Sequence, residues 1–190
     1  MTNILIIVTG SVAAIKLPIL VKKLQEKCLA NGHLFQIRIV LTEPSLHFFK
    51  LVEVENLLPA GSIYRDADEW TTWTKMGDPV LHIELRNWAD IGVIAPLDAN
   101  TMGKLSNGIC DNLASCVVRA WDINKKLLYA PAMNAHMWTH RITEKCIRVL
   151  NDLGYIQIGP ICKKLACGDF GMGAMAEVDQ IVAKIMEFVR

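Results

Sequence analysis

The six cysteines of this chain include no Cys-x-x-Cys pair, no Asn-x-Ser/Thr sequon occurs, and no basic block breaks an even spread of charge. Each absence removes a class of protein. A chain of 190 residues can bury a core without disulfide staples, so the cysteines read as free thiols in a reducing, cytoplasmic setting. Twenty Lys+Arg stand against nineteen Asp+Glu, a net charge of +1, and no basic tract could follow a phosphate backbone; nucleic acid is not expected as a partner. The N-terminal apolar run Ile4-Leu5-Ile6-Ile7-Val8 is five residues long with no basic stretch before it, so neither a signal peptide nor a membrane span is expected. Repeats, low-complexity tracts and Gly/Ser linkers are also missing, which leaves residues 1–190 as one expected domain with no further domain fused to it.

What is present is apolar material. Hydrophobic residues make up 52% of the chain and charged residues 21%, enough for a substantial core. Residues 4–8, 35–41, 91–95, 127–130 and 155–158 read as strands, of which Phe35, Ile37, Ile39 and Leu41 alternate with polar residues. Between them lie helical patterns at 12–30, 98–121 and 142–153, with a last one at 178–189; Pro18 either kinks the first or marks its true start. Strands alternating with helices predict an α/β fold, a Rossmann-like or flavodoxin-like parallel sheet covered by helices on both faces. Residues 52–88 fit the alternation poorly, and residues 160–176 read as a Gly-rich loop, expected to act as a lid.

In an open parallel sheet, ligands bind beyond the carboxyl ends of the strands. Three such ends are polar: Thr9-Gly10-Ser11, Pro96-Leu97-Asp98-Ala99-Asn100-Thr101 and Pro131-Ala132-Met133-Asn134. The first precedes a helix, so it suits either a bound phosphate or a plain N-cap; it lacks the second glycine and the Lys-Ser/Thr pair of a Walker loop. Gly171-Met172-Gly173-Ala174-Met175-Ala176 matches a dinucleotide fingerprint in the wrong place, with fourteen residues left after it for a ribose ligand. No metal site is expected, because His136 and His140 are four apart with no intervening Glu. His82 lies in an alternating Pro79–Leu85 stretch read as a strand, where it is either a core imidazole or a catalytic group. Cys167, on the expected lid beside Lys163 and Lys164, can be an exposed, activated thiol, whereas the other five cysteines read as small core residues.

Five segments in order, Val8–Ala14, His82–Leu85 with Trp88-Ala89-Asp90, Ala95–Thr101, Pro131–Asn134 with Met137-Trp138, and Ala166-Cys167-Gly168-Asp169, resemble the signatures of the phosphopantothenoylcysteine decarboxylase family. Arg141 and Ile7 depart from the pattern, at positions that affect local loop shape. The resemblance implies an FMN flavoprotein that decarboxylates a small-molecule substrate in coenzyme A biosynthesis and assembles as a homotrimer with the flavin near subunit contacts. It also implies roles: Gly10, Ser11 and Val12 at the flavin phosphate, Ser45 closing that pocket, and Asp98, Asn100, Thr101 and Ala132 along the flavin. Asn134 would hold the substrate carboxylate, with Met137, Lys164 and Ala166 also at the substrate, and His82 and Cys167 would be the catalytic pair. Two other readings share these motifs: a non-catalytic regulatory flavoprotein, whose long acidic tail this chain lacks, and a decarboxylase of peptidyl-cysteines.

Overall fold

The structure, a computed structural model, describes residues 1–71, 73–164, 168 and 170–189. Strands β1 (Thr2–Val8), β2 (Phe35–Leu41), β3 (Ile63–Arg65), β4 (Ile91–Leu97), β5 (Lys126–Pro131) and β6 (Ile156–Gln157) form one parallel sheet in the order β3-β2-β1-β4-β5-β6. This is the Rossmann-like arrangement expected from the alternation. Every residue of β4 is buried, and so are Ile4 to Val8 of β1, which is why the central strands read as unbroken apolar runs.

The two-residue period of the strands divides the core between the faces. Ile4, Ile6, Val8, Ile39 and Val93 pack on one side against helix α1 (Leu17–Ala30) and against the helix that ends the chain, Val178–Met186. Leu5, Ile7, Val40 and Ile94 pack on the other side. That second layer contains α4 (Leu81–Trp88), α5 (Ala99–Ser106), α6 (Leu113–Arg119) and α8 (Arg141–Asp152). Among the described residues no helix is long and apolar enough to cross a membrane.

Pro18 marks a true helix start. A 3₁₀ turn over Val12–Lys16 precedes α1, and proline in the first turn of α1 sacrifices no internal hydrogen bond. The stretch that fitted the alternation poorly consists of short elements: α2 (Leu51–Glu55), β3, α3 (Asp66–Thr71) and then α4. Here the sequence reading is corrected, because His82 lies on helix α4 and not on a strand. Leu81 and Leu85, four residues apart, face the core together while Ile83 is partly exposed, and seven residues are too few for a two-residue period to exclude a helical one.

The Gly-rich loop is likewise corrected. Its described residues form an antiparallel hairpin, β7 (Ile161–Lys164) with β8 (Phe170–Ala174), so the strand at Ile156–Gln157 is not the last. The fingerprint-like glycine Gly173 allows close packing: it has φ +132, and a Cβ there would lie 2.5 Å from the Met133 carbonyl oxygen. Its own carbonyl accepts the Met133 N–H at 2.9 Å, which ties the hairpin to the end of β5. The chain closes with α9 (Val178–Met186), after the four-residue helix α7 (Ala135–Trp138) and α8 have covered the β5 side. The cysteine reading holds for Cys28 and Cys146, which are buried, and fails for Cys110 and Cys162, which are exposed between α5 and α6 and on the hairpin. Cys116 is half-buried, and burial pushes its thiol up to about 11.

Gly92 in β4 has no room for a side chain: a Cβ would meet Leu127 Cδ1 at 2.5 Å and the Trp121 ring at 2.7 Å. Gly92→Ala should therefore destabilise the fold by about 1–3 kcal/mol through overpacking, and lower the melting temperature by roughly 2–4 °C for each of these. Thermal unfolding followed by circular dichroism measures it; an unchanged midpoint would contradict this packing.

Candidate functional site

Strand order reverses between β1 and β4, so their carboxyl ends splay and leave a crevice. Thr9 bridges its floor. Its hydroxyl donates to the Pro96 carbonyl at 2.8 Å and accepts the Asp98 N–H at 2.8 Å, and the residue is fully buried. On the β2 side, Thr42 N–H donates to the Val8 carbonyl at 3.1 Å, and the buried Ser45 hydroxyl donates to the Thr42 carbonyl at 2.7 Å. Gly10 lies where these loops meet, with its would-be Cβ 2.6 Å from Pro44 Cβ.

Each polar strand end then starts a helical turn with a side-chain cap. Ser11 Oγ accepts the Ala13 N–H at 3.3 Å, Asp98 Oδ1 accepts the Thr101 N–H at 2.7 Å, and Asn134 Oδ1 accepts the His136 N–H at 2.8 Å. The cap reading of Thr9-Gly10-Ser11 is thus correct locally. Ser11 also faces a cavity.

That cavity, of about 370 Å³, opens between the ends of β1 and β5 under the hairpin. Val12, Ile15, Met133 and Met175 supply apolar wall, Ser11 and Asn134 supply polar groups, and Lys16, Lys163 and Lys164 stand at it. Glu177 is the acidic partner of two of these lysines: Lys16 Nζ lies 2.8 Å from Oε2 and Lys163 Nζ 3.0 Å from Oε1. The two ammonium groups hold the Glu177 carboxyl below the usual carboxylate range, and Glu177 in turn raises Lys163. Among the described residues, three cations against one carboxylate leave this end of the cavity positive, which suits an anionic ligand.

Of the residues singled out in the sequence, Ser11, Val12, Ala132, Asn134 and Lys164 line this one cavity. Gly10, Ser45 and Asp98 lie in the adjoining turns, with Thr101 buried in the first turn of α5 and Asn100 exposed beside it. Met137, on α7, is half exposed and does not line the cavity. Ala166 and Cys167 fall outside the described residues. His82 does not line the cavity either. It sits in the first turn of α4, where its Nδ1 is 2.6 Å from Glu69 Oε1. His140 caps α8 and His136 is exposed, and no group of three or more His, Cys, Asp or Glu among the described residues could hold a metal.

Sequence reasoning missed Lys16 and Glu69, and it named Met133, Gly173 and Met175 within motifs without assigning them to the site. The cavity residues among them adjoin polar strand ends or lie in the hairpin, so proximity to those ends was the available signal. Glu69 carried none, because its partner is on another helix.

The sequence matches the Flavoprotein family over residues 1–190. It is 52% identical to phosphopantothenoylcysteine decarboxylase of Mus musculus, across 96% of this chain and 85% of that one. It is 48% identical to the Arabidopsis thaliana protein of the same name, across 98% and 84%. Among solved structures, a cysteine-to-serine variant of PPC decarboxylase complexed with pantothenoylaminoethenethiol superposes with a TM-score of 0.88, at 46% identity over 98% of this chain and 97% of that one. The FMN binding protein AtHal3 gives 0.85 at 47% identity, over 98% and 96%. A parallel sheet with a cavity at its carboxyl edge, matched in sequence along its full length, places the chain in the flavoprotein family.

Proposed function

We propose that this chain is a phosphopantothenoylcysteine decarboxylase, which converts 4'-phosphopantothenoylcysteine to 4'-phosphopantetheine in coenzyme A biosynthesis with FMN as its cofactor. Relatives of about half-identical sequence that bear this name, matched over nearly the whole chain, carry the reading. The residues present fit the cofactor. A cavity of about 370 Å³ is within the range of small-molecule sites, and its apolar walls beside a hydroxyl, an amide and lysines suit a flat ring system bearing an anionic tail. Gly10, Ser11 and Val12 would hold its phosphate end, Ser45 would close that end, and Asp98, Asn100, Thr101 and Ala132 would flank the rest.

An amidated cysteine carboxylate has no electron sink to accept the pair released with CO2. FMN held by those residues would supply that sink as a reversible hydride acceptor, so that the substrate could pass through a thioaldehyde and, after CO2 loss, an enethiolate with no net redox change. The protein's side chains do the rest. Asn134 holds the substrate carboxylate, with Met137, Lys164 and Ala166 at the same ligand. The excess of lysines at the cavity complements a substrate that carries a phosphate and a carboxylate. His82 acts as the base or orienting group before CO2 leaves, and Cys167 is the acid that protonates the enethiolate carbon during hydride return. The hairpin β7–β8, packed on the end of β5, serves as the lid over this chemistry. The chain assembles as a homotrimer, with the flavin near subunit contacts.

The purified protein should be yellow, with one noncovalent FMN per chain, and a protein still colourless after incubation with FMN would refute the cofactor assignment. Asn134→Ala should keep the colour and lose decarboxylation at least ~100-fold, at a cost of about 1 kcal/mol for the lost α7 cap. Asn134→Asp, which retains a capping oxygen, should be equally inactive because two carboxylates repel. Cys167→Ser should release CO2 and accumulate an enethiol two mass units lighter than phosphopantetheine, since serine is too weak an acid for the return step. Normal phosphopantetheine from that variant, read by mass spectrometry, would remove Cys167 from the mechanism. Light scattering should give the mass of three chains or a multiple; a monomer at micromolar concentration would contradict the assembly.

A further inference from the structure

Helix α4 has no side-chain cap from its own N-terminal residue, Val80. The missing acceptor comes from thirteen positions earlier in the chain. Glu69, on α3, has a side chain only 10% exposed, and its Oε2 accepts the His82 backbone N–H at 3.1 Å while Oε1 meets His82 Nδ1 at 2.6 Å. One carboxylate thus engages the backbone N–H and one ring nitrogen of a single residue.

We propose that Glu69 is the positioning residue for His82, holding the proton on Nδ1 and leaving Nε2 as the proton-accepting nitrogen of the active site. This rests on the reading that His82 acts in the reaction. An ionised carboxylate can only accept, so the ring nitrogen that faces it must carry hydrogen. The second bond, to the backbone, prevents the carboxylate from turning away.

The acidic run Asp66-Ala67-Asp68-Glu69 divides its work by position. Asp66 Oδ1 accepts the Leu113 N–H at 2.7 Å at the start of α6, and Asp68 Oδ2 accepts the Arg65 N–H at 2.7 Å. Glu69 reaches α4. The far end of α4 is held as firmly: Lys125 Nζ donates to the Arg86, Asn87 and Ala89 carbonyls at 3.2, 3.0 and 2.6 Å. An anion at the N-terminus and a cation at the C-terminus both oppose the helix dipole, so the short helix presents its imidazole from a fixed platform. Other charged and titratable groups on the elements packed around it include Asp66 and Asp68 on α3, Cys116 and Arg119 on α6, Arg38 on β2, whose guanidinium lies 4.3 Å over the Trp88 ring, and Glu84 and Arg86 on α4 itself.

Glu69→Gln separates positioning from packing. Glutamine has one oxygen, and the backbone N–H of His82 needs it, so the amide NH2 faces Nδ1 and drives the proton to Nε2. In FMN-loaded protein with 15N-labelled histidine, the neutral His82 ring should show the Nδ1–H tautomer in the wild type and the Nε2–H tautomer in Glu69→Gln. The variant should melt within a few degrees of wild type, keep KM within about threefold and lose kcat by ~100-fold, as expected for a base in the wrong tautomer. Glu69→Asp, which keeps the charge on a shorter arm, should recover part of kcat and the Nδ1–H signature. A wild-type ring in the Nε2–H form, or Glu69→Gln with kcat within twofold while His82→Asn is inactive, overturns the role of Glu69. Full activity in His82→Asn overturns the reading beneath it instead, and the two failures are told apart by that variant.

Discussion

Where β1 and β4 diverge, their backbones no longer pair regularly, and the side chain of Thr9 takes over. Its hydroxyl gives its one hydrogen to the Pro96 carbonyl and takes the Asp98 N–H on a lone pair, in a place with no access to water. Buried polar groups without partners are costly, so this residue both satisfies two loop peptides and fixes the spacing of two strand ends. Everything at the cavity hangs from those ends. Ser11 leaves the β1 end two residues after Thr9, and Asp98 begins α5 directly from the bridged peptide. Ala132 joins the arrangement through its N–H to the Leu97 carbonyl at 2.9 Å, which brings the β5 end and Asn134 into register.

Around this neutral junction the charges are arranged in two ways. Lys16, Lys163 and Glu177 form ion pairs at the solvent edge, where each is worth little to stability and what matters is the net positive charge left beside the cavity. Glu69 and Lys125 are instead turned into the protein, each against the backbone end of one helix. A ligand can outcompete the first kind of contact, because exposed lysines repartner at small cost. The second kind is built to stay, since its removal takes a charged partner from backbone groups at the ends of a helix.

The sheet was legible because its central strands carry their own evidence. Ile4–Val8 and Ile91–Ala95 are apolar without interruption, and only a strand buried on both faces accounts for such short runs between helical patterns. The three polar strand ends were legible for the same reason, as they follow directly from strands already found. Ser11, Val12, Ala132, Asn134 and Lys164 do line one cavity. His82 was misplaced because Leu81, Ile83 and Leu85 satisfy a two-residue period, whereas the helix is decided by Leu81 and Leu85 meeting core residues from distant segments. The hairpin at 161–174 was hidden by its glycines. In isolation they read as freedom of the chain, but at Gly173 the constraint comes from Met133, forty residues earlier, which leaves no space for a Cβ.

These cases share a physical cause. A strand that buries both faces, or a cap three residues from its amide, is specified within a window that sequence patterns can resolve. The contacts that orient α4 span thirteen residues on one side and thirty-six to thirty-nine on the other, and no periodicity encodes them. The fold separates the two kinds of information spatially. Local signals build the sheet and its caps, and long-range polar contacts fix the direction of individual side chains at its carboxyl edge. Side-chain direction is what proton transfer requires, since an imidazole turned about its ring axis presents a different nitrogen to the same ligand. The least legible part of the chain, residues 66–88, is for that reason also where the orientation of the His82 ring is decided.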